Sequence, residues 1–226
     1  IDGSKILLNK IPHNDYLLNL TGMAYQGLSQ HQNSIKFFNQ ALTVAPNNIA
    51  AMNNLANSYK AIGKLEDAKD LYEKILKMNP NYINSYNNYA NLKTLINDYK
   101  GAIELYLKVY NLIKNNKNIS RTSVTGILFS LAVAYQSDNK IDETKNIVNE
   151  IFSIDPTHVG AHKLISSLTK YSNEDEKSLA HIQKMEEIDK KINSNEYEKK
   201  IDLSYALGKS FEDIKNYDKS FFYLSR

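Results

Sequence analysis

The chain has 226 residues, 42% of them hydrophobic and 23% charged, with a formal net charge of +3 whose signs are interspersed. This is the composition of an ordinary folded domain, with no long-range field aimed at nucleic acid. There is no cysteine, which excludes disulfides, thiolate catalysis and cysteine-based zinc sites. Apolar runs stay far short of a membrane span, and no basic-then-apolar leader follows Ile1, so a cytoplasmic chain without membrane insertion is expected.

The 4 prolines set the order of the elements. Pro12, Pro46 and Pro80 are 34 residues apart, and Pro156 follows after 76, two periods and eight residues more. Proline lacks an N–H and clashes with the preceding helical turn, so each one marks the end of a helical unit. Residues 1–14 read as the second half of such a unit, with Leu7 and Leu8 ahead of Pro12. Complete units follow at 15–48, 49–82 and 83–116, then an eight-residue insertion at 117–124 and a unit at 125–158. Residues 159–192 form a degenerate helix pair, with Leu164, Ile165 and Leu168 on one helix and Leu179, Ile182, Met185 and Ile188 on the next. A charged linker at 193–200 precedes a partial unit at 201–226, where Gly208, Phe211, Tyr217 and Ser220 restart the pattern. A chain that opens and closes inside a unit is expected to be part of something longer, with end faces through which copies can associate.

Aligned on their prolines, the four complete units share their packing positions. The eighth position is Gly22, Ala56, Ala90 and Ala132, and the twentieth is Ser34, Ala68, Ala102 and Thr144. Small residues let two helices approach, and bulky ones such as Phe38, Tyr72 and Tyr106 fill the space between. Gly63 and the pairs Asn97-Asp98 and Asp138-Asn139 fall where left-handed turn residues are wanted. Tyr59, Tyr72, Tyr89, Tyr106 and Tyr135 occupy packing positions and read as core.

The stretch AAMNNLANSYKAIGKLEDAKDLYEKILKMNPN at 50–81 resembles a tetratricopeptide repeat, whose length is also 34. That resemblance implies an all-α fold, an α-solenoid of antiparallel helix pairs in a right-handed superhelix, acting as a non-catalytic scaffold for a protein or peptide partner. It implies that positions 2, 5, 6, 9, 12 and 13 of each unit line a concave groove. In the second and third units these positions include Asn53, Asn54, Asn57 and Lys60, then Asn84, Asn87, Asn88 and Asn91; Tyr16 lies nearby in the first, and Tyr86 near the seam. Each asparagine carries an amide donor and a carbonyl acceptor, so a ladder of them matches the backbone of an extended peptide. The arrays of O-linked N-acetylglucosamine transferases are similar at position 6, matched here by Asn54 and Asn88 but not by Leu20 or Ser130. An asparagine-biased composition merely covering a solvated face is the competing reading. A basic clamp for a partner's terminal carboxylate is absent, because Tyr16, Asn19, Asn84 and Asn88 hold its slots.

Other chemistry is not expected. His158 and His162 share a helical face, but only distant His181 could join them, so no metal is anticipated. Gly22–Gly27 has phosphate-loop spacing with Leu28 in the lysine slot, and no cofactor is implied. The segments AHKLISSLTKYSNEDEKSLAHIQKMEEI (161–188) and YALGKSFEDIKNYDKSFFYL (205–224) resemble the region joining repeats to the catalytic domain in bacterial tetratricopeptide–sulfotransferase proteins. This implies, as an alternative, the substrate-recognition region of a larger transferase. No phosphosulfate loop of the PRSGTT type occurs before Arg226.

Overall fold

The structure is a computed structural model and describes residues 2–114, 116, 118–193 and 195–226. Ile1, Asn115, Lys117 of the expected insertion and Ser194 of the expected linker lie outside the described residues. All regular structure among the described residues is helical, in two compact units, 1–115 and 116–226.

The first unit contains α1 (Asp2–Lys10), α2 (Asp15–Gly27), α3 (His31–Val44), α4 (Ile49–Ala61), α5 (Leu65–Met78), α6 (Ile83–Leu95) and α7 (Tyr99–Ile113). Each proline stands two residues beyond a helix end: Pro12 after Lys10, Pro46 after Val44 and Pro80 after Met78. Lys114 replaces proline after α7, which runs to 15 residues where α3 and α5 stop at 14. Asn14 and Asn48 cap α2 and α4 by accepting from the backbone N–H groups of Leu17 and Ala51, supplying partners that a first turn otherwise lacks. Asp98 caps α7 through the Gly101 N–H.

Helices α2 and α3, α4 and α5, and α6 and α7 pack as pairs joined by three-residue turns. The middle residue of each turn is left-handed: Ser29 at φ 57°, Gly63 at φ 79° and Asn97 at φ 62°. The next N–H then reaches five residues back, from Gln30 to the Tyr25 carbonyl, Lys64 to Tyr59 and Asp98 to Lys93, each at 2.9 Å. This is the Schellman closure, which satisfies a carbonyl that the helix end orphans. The buried stripe of α5, Ala68, Tyr72 and Ile75, follows helical spacing and has no exposed area. At the crossing of α2 and α3, a Cβ added to Gly22 would lie 2.5 Å from the ring of buried Phe38, so glycine is required there for close approach. Ala56 and Ala90 hold that position in the next pairs and are fully buried.

The second unit contains α8 (Arg121–Ser137), α9 (Ile141–Ile154), α10 (Val159–Leu168), α11 (Glu176–Asp189), α12 (Tyr197–Asp213) and α13 (Tyr217–Leu224). Helices α8 and α9 form one pair, α12 and α13 another, closed by left-handed Asn139 and Lys215. Four residues of the expected insertion, 121–124, are the first turn of α8, capped by the Ser120 hydroxyl. Likewise α12 starts at Tyr197 inside the expected linker, so both helices reach 17 residues. The pair expected at 159–192 is not a tight hairpin. Residues 169–175 separate α10 from α11, and α10 lies against α12. No left-handed turn residue follows Leu168; Tyr171 turns inward instead and is 2% exposed. Asp213 fixes this connection by accepting from the Lys170 and Lys209 ammonium groups at 2.6 and 2.7 Å and from the Tyr171 N–H at 3.2 Å. No helix of the described residues is long and apolar enough to cross a membrane.

Candidate functional site

In the first unit the asparagines fall on α4 and α6, where positions three and four apart share a helix surface. They do not stand as separate rungs. The Asn54 amide on α4 donates to Asn19 Oδ1 on α2 at 3.0 Å, and the Asn88 amide on α6 donates to Asn53 Oδ1 on α4 at 3.2 Å. Position 6 of one repeat therefore bonds position 5 of the repeat before it, a separation of 35 residues both times. The Ser85 hydroxyl donates to the same Asn53 oxygen at 2.9 Å, and the Gln26 side-chain amide on α2 donates to the Asn54 backbone carbonyl at 3.2 Å and to Ser58 Oγ at 3.0 Å. These bonds fasten the first helices of three successive pairs to one another.

Asn53 is the most enclosed asparagine of the row. It is 5% exposed with its carbonyl twice engaged, so it ties α4 to α6 and keeps only its amide NH₂ uncommitted among the described residues. Asn54 and Asn88 are half-buried, each with one polar group committed. Asn57 and Asn91 are held from beneath: the Tyr72 hydroxyl donates to Asn57 Oδ1 and the Tyr106 hydroxyl to Asn91 Oδ1, both at 2.6 Å. Each amide NH₂ is thereby left directed away from its tyrosine. Exposed Asn84 and half-buried Asn87 make no side-chain hydrogen bond among the described residues. Lys60 is half-buried without an ion pair among the described residues, and burial lowers its pKa below the ordinary lysine value. Tyr16 is 69% exposed. Tyr86 is buried beneath the Lys108 ammonium, which lies 4.8 Å from the ring centroid.

Sequence reading by columns missed Asn19, Gln26, Ser58 and Ser85, because aligned positions were compared with their own equivalents. The detectable signal was an asparagine pair separated by one residue more than the period. Tyr72 and Tyr89 read as core and are buried, whereas Tyr59 and Tyr135 are only half-buried, with the Lys64 and Lys140 ammonium groups 5.6 and 5.8 Å from their ring centroids.

The histidines of the second unit form a structural relay. His162 Nε2 faces the Pro156 carbonyl at 3.1 Å, which can only accept, so that nitrogen carries the proton. His162 Nδ1 then accepts from His181 Nε2 at 2.8 Å, and His181 Nδ1 accepts from the Tyr171 hydroxyl at 2.6 Å. Ser166 completes the line 2.9 Å from the Tyr171 oxygen. His158 instead caps α10, accepting from the Ala161 N–H. Burial holds the pKa of all three histidines down, that of His181 to about 4. No group of three metal-ligating side chains suited to an ion occurs among the described residues.

Successive helix pairs, closed by the same turn and tied through their first helices, define an all-α repeat scaffold. Family models described as tetratricopeptide repeat match residues 16–81 and 71–104. Together the matches cover residues 16–104, and neither reaches the 161–224 region. No curated protein matches the sequence. Among solved structures, PilF of Pseudomonas aeruginosa is similar with a TM-score of 0.70 at 15% identity, covering 92% of this chain and 88% of its own. A tetratricopeptide repeat protein from Parabacteroides merdae gives 0.68 at 17% identity, with 98% and 82% covered. YrrB, described as a tetratricopeptide repeat protein with an unusual peptide-binding site, gives 0.59 at 12% identity, with 99% and 98% covered. At these identities the likeness is one of fold.

Proposed function

We propose that the face formed by α2, α4 and α6 holds an extended segment of a protein partner, with Asn54, Asn57, Lys60, Asn84, Asn87, Asn88, Asn91 and Tyr16 in contact and Asn53 supporting them. The observation that carries this reading is the half-commitment of the asparagines. One polar group of Asn54, Asn57, Asn88 and Asn91 is spent on fixing the amide, and the other remains for a ligand backbone. Pre-fixed amides lose little rotamer freedom on binding, which favours recognition. The peptide-binding site of YrrB supports the same use of the fold. The alternative, a recognition region within a larger sulfotransferase, rests on the resemblance of residues 161–188 and 205–224, and sequencing beyond codon 226 tests it.

The experiment is selection of a synthetic random dodecapeptide library on the immobilised full chain, followed by affinity measurements on recovered peptides. Asn84→Ala combined with Asn87→Ala lowers affinity about ten-fold with an unchanged melting temperature, because neither residue has an internal bond to lose. Asn54→Ala with Asn88→Ala lowers affinity and stability together, by about 1 kcal/mol for each inter-helix bond. Recovery of no peptide, or equal binding by the Asn84/Asn87 variant, refutes the assignment.

A further inference from the structure

The second unit holds a cavity that the repeat pattern does not explain. Its volume is about 190 Å³, and it lies where residues 157–159 meet the last turns of α11 and the start of α12. Val159, Ile188 and Ile192 give it an apolar floor. Val159 and Ile188 are 7% and 6% exposed and belong to the core of this unit, and Ile192 packs against that core. An apolar cavity of about 150 Å³ is enough to hold a benzene ring, so this one has room for a small apolar body.

The rim is charged, and its charges do not balance. Lys184 stands one turn before Ile188 on α11, and Lys191 follows just beyond the helix end. A third lysine, Lys199, is already paired with Glu196 at 2.6 Å. Glu187, the other carboxylate of the rim, accepts from the Gln183 amide at 3.4 Å. Neither Lys184 nor Lys191 has an ion pair among the described residues. The negative end of the helix dipole accounts for a cation at Lys191, but Lys184 lies too far inside α11 for that. Lys184 is half-buried and stands three residues after His181, on the same surface of the helix. Its charge is among the influences that hold the His162 pKa down. An ammonium is thus kept beside a buried imidazole with no carboxylate of its own.

We propose that this cavity binds a small organic monoanion, with an apolar body the size of one ring on Val159, Ile188 and Ile192 and a carboxylate between Lys184 and Lys191. The lysine stems are flexible enough to bring both ammonium groups to one carboxylate, whose two oxygens accept a charge-assisted bond each. A bare inorganic anion leaves the apolar floor wet, and a neutral molecule of the same shape leaves both ammonium groups unpaired. The site is built on α11, a second helix, and is independent of the face of α2, α4 and α6. Occupancy also reaches the histidine relay. A carboxylate beside Lys184 offsets its charge at His162, which otherwise faces His181, His158 and Asp155. The His162 midpoint then rises, and by linkage the anion binds more tightly as the pH falls through it.

The test titrates the full chain with benzoate, with benzyl alcohol as its neutral counterpart and with inorganic phosphate as the bare anion. The methyl NMR signals of Val159, Ile188 and Ile192 report occupancy. Benzoate moves them saturably and binds about ten-fold more tightly than benzyl alcohol, while phosphate leaves them in place. In Lys184→Met combined with Lys191→Met, which keeps the aliphatic stems, the advantage of benzoate falls below roughly two-fold; a melting curve confirms folding. Saturating benzoate also raises the pH at which the His162 ring signals titrate in the unaltered protein. Equal binding of benzoate and benzyl alcohol, displacement of benzoate by equimolar phosphate, an undiminished preference in the double variant, or no saturable shift overturns the site. An unmoved His162 midpoint with benzoate bound places the carboxylate away from Lys184 and overturns the assignment as well.

Discussion

Lowering the pH from 7.5 to 5 loosens the packing of α10 against α11, and the size of the effect follows from the histidine relay. The perturbation is protonation of His162 and His181. Burial pushes the His181 pKa from 6.5 to about 4 and lowers that of His162, with the Lys184 charge adding to the second shift. A histidine whose folded pKa is depressed binds its proton more readily in the unfolded chain. Its contribution is therefore complete above pH 6.5, falls as the pH drops toward 4, and is gone below that. For His181 the loss at pH 5 is on the order of 2 kcal/mol. The relay explains why the proton is unwelcome. It can accept one by reversing its direction, with His162 donating to His181, His181 to Tyr171 and Tyr171 to Ser166. That leaves a buried cation facing the ammonium of Lys184 and the imidazole of His158, against the single carboxylate of Asp155. A second proton sets two N–H groups against each other across the 2.8 Å contact.

Hydrogen exchange of the α10 and α11 amides, corrected for intrinsic rates, reads the effect without requiring the two units to unfold together. Protection falls between pH 6.5 and 5, before ordinary carboxylates titrate. His181→Phe removes the titration and flattens the profile in that window while leaving a less protected helix pair at pH 7.5. Equal protection at pH 7.5 and 5, or an unaltered slope in His181→Phe, refutes the relay as the origin.

Gly22→Ala places a methyl group 2.5 Å from the buried Phe38 ring and lowers the stability of the first unit by about 1–3 kcal/mol, read in a thermal melt. Asp213→Ala leaves Lys170, Lys209 and the Tyr171 N–H without their shared acceptor. The loss is about 1–2 kcal/mol, since Lys170 is solvated and Lys209 keeps the Thr169 carbonyl, and limited proteolysis detects it as faster cleavage within 169–175.

The parts of this fold that were legible in the sequence are those set by backbone chemistry at fixed intervals. Proline cannot extend a helix, so Pro12, Pro46, Pro80 and Pro156 marked helix ends wherever they occurred. Gly63, Asn97 and Asn139 tolerate a left-handed backbone and stood at turns for that reason. Ser29 and Lys215 adopt the same conformation without announcing it; there the closure to Tyr25 and Phe211 imposes the geometry on residues with no preference for it. The extra turns of α8 and α12 were hidden because 121–124 and 197–200 lie outside the repeat period, although helical propensity does not depend on period. The connection at 169–175 depends on Asp213, more than forty residues away, and no local pattern encodes such a contact.

The candidate face shows the same division more sharply. The positions of the asparagines could be read by aligning repeats, but their chemistry could not, because an amide offers a donor and an acceptor until its neighbours choose between them. Tyr72 and Tyr106 read as core residues, and they are; each also ends in a hydroxyl that takes the oxygen of Asn57 or Asn91. The packing of the second helices thereby sets the polarity of the first. A bare asparagine row would accept any extended backbone. With the Asn53 oxygen taken by Asn88 and Ser85, and those of Asn57 and Asn91 by the two tyrosines, the row offers fewer free acceptors than a bare one. Replacing either tyrosine by phenylalanine preserves the core volume while freeing the amide to rotate, so affinity for an extended peptide is expected to decline before stability does.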